Sequence, residues 1–258
     1  MKLQRKNKIR GWILGWLAVL PIPFVLWKAG VLGWGSIVLH KRSDKALKWL
    51  LYAAEQVERM INYVAMRHEG GVHPKHRIMR YHDFFVGKIN DGENVLDVGC
   101  GYGEVAYSIA EARNVAIWGI DIDPEKIRLA SSRNSHPRIT YLVVDATGEL
   151  FLEKMDVIVI SNCLEHIERR VEFLRNLQAN ICPKRWLVRV PCFDRDWKPS
   201  LRLELGMFPY GDSTHFTEYT EKSFRQEMKD AGFVVLEIGV QWGEIWAEVA
   251  DLASVEKV

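Results

Sequence analysis

From residue 93 onward, short apolar runs alternate with segments whose apolar side chains recur every three or four positions. The runs "NVLDVG", "VAIWGIDID", "RITYLVVDA", "MDVIVISN" and "RWLVRVP" have the length and β-branched content of buried strands. Between them, "EVAYSIAEAR", "PEKIRLASSR" and "ERRVEFLRNLQAN" carry helical spacing, the second opening with Pro124 in its first turn. Further on, "EKSFRQEMKDAG" reads as a helix closed by Gly232, and "FVVLEIGV" and "WGEIWAEVA" as two final strands. This alternation predicts an α/β fold, a mostly parallel sheet with helices on both faces. Ligands of such sheets sit at the carboxyl ends of the strands, near the point where strand order reverses. The turn after the first strand, Asp97 to Gly103, falls there.

The pattern upstream is different. Leu47, Leu50, Leu51, Ala54, Val57, Ile61 and Val64 lie at helical spacing and predict an amphipathic helix over 44–66. Residues 11–40 are almost wholly apolar, with Lys28 as the one formal charge, and are punctuated by Trp12, Trp16, Trp27 and Trp34. That stretch exceeds the ~20 residues that cross a bilayer, but "PIP" at 21–23 breaks it. Lys2, Arg5, Lys6, Lys8 and Arg10 precede it, and Lys41, Arg42, Lys45 and Lys48 follow. Basic flanks on both sides place both ends in the cytoplasm. The expectation is a broken hairpin that dips into one leaflet or an interfacial pair of short helices; a single span, a cleaved signal peptide and a soluble hairpin are the alternatives. The chain thus divides into a membrane-associating segment (1–43), lead-in helices (44–92) and an α/β domain (93–258) with an insertion at 191–219.

Composition adds little beyond this. Hydrophobic residues make up 48% of the 258, enough for a sizeable core, and the net charge of +2 is near neutral. Cys100, Cys163, Cys182 and Cys192 are scattered with no C-x-x-C pair, which argues against a zinc ribbon or a disulfide scaffold. "HEGGVHPKHR" reads as a solvated basic loop. Its His68, His73 and His76, with His82 beyond, have no accompanying carboxylate or cysteine set, so no metal is expected.

Two ligand classes compete for the turn. A dinucleotide wants G-x-G-x-x-G, and counting from Gly99 the third glycine position holds Glu104, an acid that repels pyrophosphate. The pattern is instead Asp97-x-Gly99-x-Gly101-x-Gly103, a carboxylate under a turn that admits close backbone approach. Such a carboxylate suits a ligand carrying an ammonium group. "VLDVGCGYGE" resembles motif I of the class I S-adenosylmethionine-dependent methyltransferases, and the motifs that follow it come in that family's order. The resemblance covers about residues 93–250. It implies a Rossmann-like seven-stranded sheet with one antiparallel strand, and S-adenosylmethionine as cofactor. Gly99, Gly101 and Gly103 would surround the methionine part, Asp121 would hold the ribose hydroxyls, and Ile122 would pack on the adenine. Asp145 and Ala146 would line the adenine pocket. "VIVISNCLEHI" resembles the fourth-strand motif of the quinone-biosynthesis subgroup and brings Asn162 into the cofactor set.

Methyl transfer from a sulfonium is an in-line displacement, and a hydroxyl acceptor calls for a base. His166 in "CLEHI" and His215 in "YGDSTHFTEYT" are the candidates, each with a capping or loop-ordering role as the alternative. Asp194, Arg195, Asp196, Trp197, Lys198, Arg202 and Glu204 make the insertion a natural acceptor pocket or lid. Together these readings predict a methyltransferase held at the cytoplasmic face of a membrane by residues 11–40, acting on an oxygen of a membrane-bound or amphiphilic acceptor. A lipid-linked saccharide or glycan precursor is expected, with a quinone-like lipid, another small molecule or a non-catalytic cofactor-binding module as alternatives. No N-P-P-Y-like motif follows the fourth strand and no basic groove is evident, so no nucleic-acid partner is expected.

Overall fold

The structure is a computed structural model that describes residues 43–148 and 154–255. The expected membrane-associating segment at 1–43 lies outside these but for its last residue. Among the described residues, no helix is long and apolar enough to cross a membrane. The chain forms two compact units, one of residues up to Pro74 with Leu201–Pro209, the other of Lys75–Ser200 with Tyr210–Val258.

In the first unit, α1 (Ser43–His68) extends the predicted amphipathic helix by a residue or two at each end. It buries Ala46 and Leu51 and leaves Tyr52, Ile61, Tyr63 and Val64 exposed. Arg202 donates to the Leu51 carbonyl at 3.0 Å and to Glu55 at 2.9 Å, tying the 201–209 segment to this helix.

The second unit begins with α2 (Lys75–Met79) and α3 (Tyr81–Lys88). It continues as β1 (Asn94–Val98), α4 (Glu104–Ala112), β2 (Ala116–Asp121), α5 (Pro124–Arg133), β3 (Ile139–Val143) and β4 (Val157–Ser161). Then come α6 (Arg170–Ile181), β5 (Arg185–Pro191), α7 (Lys198–Glu204, whose residues from Leu201 on belong to the first unit), α8 (Glu221–Ala231), β6 (Phe233–Gln241), β7 (Glu244–Asp251) and α9 (Leu252–Val255). The seven strands form one sheet in the order β3-β2-β1-β4-β5-β7-β6. β1 pairs parallel with β2 and β4, while β7 runs antiparallel to both β5 and β6. The expected sheet with one antiparallel strand is therefore present. The chain builds outward from β1 to β3 and returns at β4, so the order reverses between β1 and β4.

Both faces of the sheet are covered, which is why its central strands read as unbroken apolar runs. Leu96, Val98, Ile158, Ile160 and Trp186 pack with Phe173 and Leu177 of α6 and Phe224 and Met228 of α8. Val95, Ile117, Val157 and Val159 on the opposite face pack with Phe85 of α3 and Ala106 and Ile109 of α4. The helices start where the capping residues stand. Asp123 accepts from the Glu125 and Lys126 amides ahead of α5, and Thr220 forms a reciprocal capping box with Ser223 ahead of α8.

Two sequence expectations need correction. The solvated basic loop over 68–77 ends at Pro74, because Lys75 opens α2. Its last histidine is half-buried, as is His82: His76 and His82 form a chain with Tyr81, His76 Nδ1 lying 2.8 Å from Tyr81 Oη and 3.0 Å from His82 Nε2. The insertion after β5 is not an open loop either. A parallel bridge between Cys192 and Tyr219 closes its base, with Phe193 donating to the Tyr219 carbonyl at 2.7 Å.

Candidate functional site

The turn after β1 is held by backbone geometry. Gly99, Gly101 and Gly103 all adopt positive φ, at +70°, +58° and +81°. The Gly99 and Cys100 amides both donate to the Ile120 carbonyl, pinning the turn to β2. Cys100 itself is buried, as a packing side chain is. The outer glycines are needed for space as well. A Cβ on Gly99 would overlap the Cys163 thiol, and one on Gly103 would overlap the Tyr141 hydroxyl. Gly101 differs, with nothing within 4 Å of an added Cβ. Gly99→Ala combines a left-handed backbone with overpacking and is expected to destabilise the fold by about 2–3 kcal/mol, read by urea unfolding.

Beside this turn, at the carboxyl ends of β1 to β4, lies a cavity of about 500 Å³. Gly99, Asp121, Ile122, Asp145, Ala146, Asn162 and His166 line it, joined by Lys126, Thr147, Cys163 and Thr214. Of the sequence-predicted residues, Asp97, Gly101, Gly103 and His215 are not on its wall. The missing Cβ of Gly103 leaves room for Tyr141.

The carboxylates are positioned by specific bonds. Asp121 ends β2 and is buried; its Oδ1 accepts from the Asp123 amide at 2.9 Å and its Oδ2 from Gly101 at 3.0 Å, with Lys126 Nζ at 3.8 Å. The next residue, Ile122, is 67% exposed, an apolar surface left open beside the cavity and suited to a flat ring. Asp145 is held ionised by the Thr147 hydroxyl and amide, which lower its pKa. It can accept from an exocyclic amino group.

Asp97 lies under the turn, 1% exposed, and its Oδ2 has no hydrogen-bond partner. Burial, followed by the Glu104 and Asp121 charges, pushes its carboxyl from the ordinary 3.8 to about 7. Asn162 Oδ1 at the end of β4 is likewise buried without a partner. Asp97 Oδ2 under the turn and Asn162 Oδ1 at the end of β4 both lack the donor that an ammonium group supplies, so these residues fit the amino-acid end of S-adenosylmethionine. Folded Asp97 keeps its proton to a higher pH than the unfolded chain does. The folded state therefore binds more protons between about pH 4 and pH 7, and stability falls as pH rises through that window. Binding of an ammonium requires the ionised form, so affinity for S-adenosylmethionine is expected to rise as pH passes through about 7. Titrations across that range should show the rise, and Asp97→Asn should flatten it.

A second group stands at the cavity rim. The His166 and His215 rings meet edge to face at 4.7 Å between centroids. Thr214 Oγ1 donates to Asp212 at 2.7 Å, so it accepts from His166 Nδ1 at 2.9 Å, and the free lone pair of His166 is on Nε2. His215 Nδ1 lies 3.1 Å from Glu218 Oε1, which fixes the same tautomer there. Burial, then the neighbouring His215, hold His166 below its usual pKa, so it is neutral at pH 7. Glu165, 1% exposed, joins them; burial raises its carboxyl to about 7, and its Oε2 has no partner.

A third group escaped sequence reasoning. Arg189 of β5 is 2% exposed. It forks onto Glu244 at 2.5 and 2.7 Å, donates to Ser161 Oγ at 2.9 Å, and stacks 3.5 Å over the Tyr81 ring. Its signal was present: a charge inside "RWLVRVP", an otherwise apolar strand, has to be paired. Glu244 also accepts from Asn162 Nδ2 at 3.2 Å, which links this group to the end of β4.

Comparison with known proteins places this geometry. A methyltransferase-domain family model matches residues 69–238. The chain is similar to ajmaline N-methyltransferase of Rauvolfia serpentina, 26% identical over 112 residues, 42% of this chain and 38% of that protein. It is similar to the mitochondrial ubiquinone biosynthesis O-methyltransferase of Schizosaccharomyces pombe, 28% identical over 102 residues, 38% of this chain and 37% of that protein. These matches span under two fifths of each relative's length. Magnesium protoporphyrin IX methyltransferase from Synechocystis, solved with SAH bound, shares the fold at a TM-score of 0.54 and 17% identity, covering 67% of this chain and 82% of that one. A Rossmann-like sheet with an acid-lined cavity beside a glycine turn defines a nucleoside-cofactor protein. The chain belongs to the methyltransferase-domain family, whose cofactor is S-adenosylmethionine.

Proposed function

We propose that this protein transfers a methyl group from S-adenosylmethionine to an oxygen of a membrane-bound acceptor, at the cytoplasmic face of a membrane. The observation that carries the reading is the cavity that brings Asp121, Ile122, Asp145 and Ala146 together beside the glycine turn, with His166 on the same wall. When bound, S-adenosylmethionine supplies a methyl group on a positively charged sulfur, which leaves as a neutral thioether. The chain's own part is alignment and proton transfer. Asp121 takes the ribose hydroxyls, Asp145 the adenine amino group, and Asp97 with Asn162 the ammonium. His166, neutral and with Nε2 unprotonated, takes the acceptor hydroxyl's proton as the C–O bond forms.

The membrane assignment is supported by the apolar run at 11–40 with its basic flanks and by the exposed Tyr52, Ile61, Tyr63 and Val64 of α1. The basic stretch "RDWKPSLR" in the insertion favours a phosphate-bearing acceptor, a lipid-linked saccharide or glycan precursor, through the half-exposed Lys198, since Arg195 and Arg202 are committed to Glu218 and Glu55. A quinone-like lipid is the second acceptor class, favoured by the similarity to the ubiquinone biosynthesis enzyme.

The test is calorimetric titration of the full chain in detergent with S-adenosylmethionine and separately with NAD, followed by incubation of membranes with methyl-labelled cofactor. Binding of the first alone, with label in a solvent-extractable lipid, is the expected result. Label confined to water-soluble products would remove the membrane acceptor. Tight cofactor binding without transfer to any cell fraction would reduce the protein to a binding module.

A further inference from the structure

Arg189 of β5 and Glu244 of β7 form a largely buried ion pair that no step of the proposed reaction uses. We infer that this pair positions Asn162, so that the asparagine's side-chain oxygen faces the ammonium of S-adenosylmethionine and the site grips the amino-acid end of the cofactor. The inference rests on the placement of that ammonium at Asp97 and Asn162. Neither Arg189 nor Glu244 is on the cavity wall, whereas Asn162 is, so both act through it.

Hydrogen bonds from this pair converge on the end of β4. The Asn162 backbone amide donates to the Arg189 carbonyl at 2.8 Å, and Arg189 Nη1 donates to Ser161 Oγ at 2.9 Å. Asn162 Nδ2 donates to Glu244 Oε1 at 3.2 Å. Glu244 is itself fixed, because Arg189 forks onto both of its oxygens and Trp246 Nε1 donates to Oε2 at 3.3 Å. On the other side the guanidinium carbon sits 3.5 Å over the Tyr81 ring of α3, which holds the plane of the fork. Because Arg189 offsets the charge of Glu244, the pair acts by orientation and not by net attraction.

What the pair decides is which way round the Asn162 amide lies. An amide has an acceptor end and a donor end, and a carboxylate offers acceptors only. With Glu244 behind it, Asn162 turns its NH2 group to the carboxylate and its Oδ1 the other way. That oxygen is buried without a partner, in a residue that lines the cavity, so it is left for a donor that the ligand brings. Turned over, the amide would set an NH2 group against the ammonium and its oxygen against the Glu244 carboxylate, two unfavourable contacts at once. The backbone adds a reason for asparagine here. Its φ of +51° lies in the left-handed region, which asparagine and aspartate tolerate better than most residues with a side chain.

The experiment is calorimetric titration of the full chain in detergent with two ligands, S-adenosylhomocysteine and methylthioadenosine. The second shares the nucleoside and the sulfur but lacks the amino-acid end. In Glu244→Gln the new side-chain oxygen stays on Arg189 and the new NH2 group faces Asn162, which then turns its own oxygen away from the ligand. Affinity for S-adenosylhomocysteine is expected to fall at least about tenfold, while that for methylthioadenosine stays within about twofold. Adding Asn162→Asp, which has an acceptor for each side, should bring S-adenosylhomocysteine back to within about threefold of the unmodified chain. Equal loss of both ligands in Glu244→Gln and in the double variant would make the pair a support of the fold alone and overturn the inference. Unchanged S-adenosylhomocysteine binding in Glu244→Gln would overturn it too, as would a selective loss that Asn162→Asp does not restore. Asn162→Ala separates this from the reading of the cofactor site. If it leaves S-adenosylhomocysteine binding unchanged, the ammonium is not at Asn162, and that placement falls together with the inference. If it weakens that ligand while Glu244→Gln does not, the placement stands and the inference alone falls.

Discussion

Asp121→Ala is expected to weaken S-adenosylmethionine binding by at least about 100-fold. Hydrogen bonds to a charged group contribute about 1.5–3 kcal/mol each, and a carboxylate at the end of β2 can offer two to the ribose diol. The side chain also has a structural part, since it accepts from the Asp123 and Gly101 amides. Its removal therefore loosens the turn as well as deleting a ligand contact. Asp121→Asn separates the two. The amide keeps an oxygen for one of the backbone donors, so thermal stability should recover most of the way while cofactor affinity stays low. Calorimetry beside a melting curve reads both. Affinity within threefold of the unmodified chain for Asp121→Ala would contradict the assigned cofactor orientation.

Arg189→Met is expected to cost about 3–5 kcal/mol of stability, because it leaves the Glu244 carboxylate in a half-dry site with two neutral donors. Those are Asn162 Nδ2 at 3.2 Å and Trp246 Nε1 at 3.3 Å. For a domain of this size the melting temperature should fall by about 10 °C or more. Arg189→Lys should not rescue it, because an ammonium can neither fork onto the carboxylate nor stack on Tyr81 as a guanidinium does. Arg189→Met combined with Glu244→Gln should recover part of the loss, since the uncompensated charge is then gone. Equal melting temperatures for the single and double variants would show that packing, not charge, sets the cost.

The strands and helices could be read from the sequence because each central strand is buried on both faces and because α5 and α8 carry their own side-chain caps. Pro124 with Asp123, and Thr220 with Gly232, mark ends that depend only on neighbours in the chain. The cavity residues at strand ends could be read for a related reason: Asp121, Asp145 and Asn162 close apolar runs, and a parallel sheet aligns such ends. What could not be read depends on partners distant in sequence. Nothing local to Arg189 names Glu244 or Tyr81, and nothing local to His166 names His215, which returns to it only because β5 and its insertion fold back. Gly103 carries a second constraint that its place in the motif does not show: Tyr141, from two strands away, fills the space where a Cβ would sit.

The bridge between Cys192 and Tyr219 makes the insertion after β5 a cassette. Its two ends meet on the sheet, so the length and content of the segment between them are uncoupled from strand register. Once the ends of a loop are fixed together, doubling its length costs only about 0.6 kcal/mol. The cofactor half of the site is built from strand ends that cannot move without disturbing the core. The cassette, which carries His215 and Thr214, is free to vary. Relatives of this chain should therefore diverge in acceptor most sharply between these two residues, while the wall formed by β1 to β4 keeps its geometry.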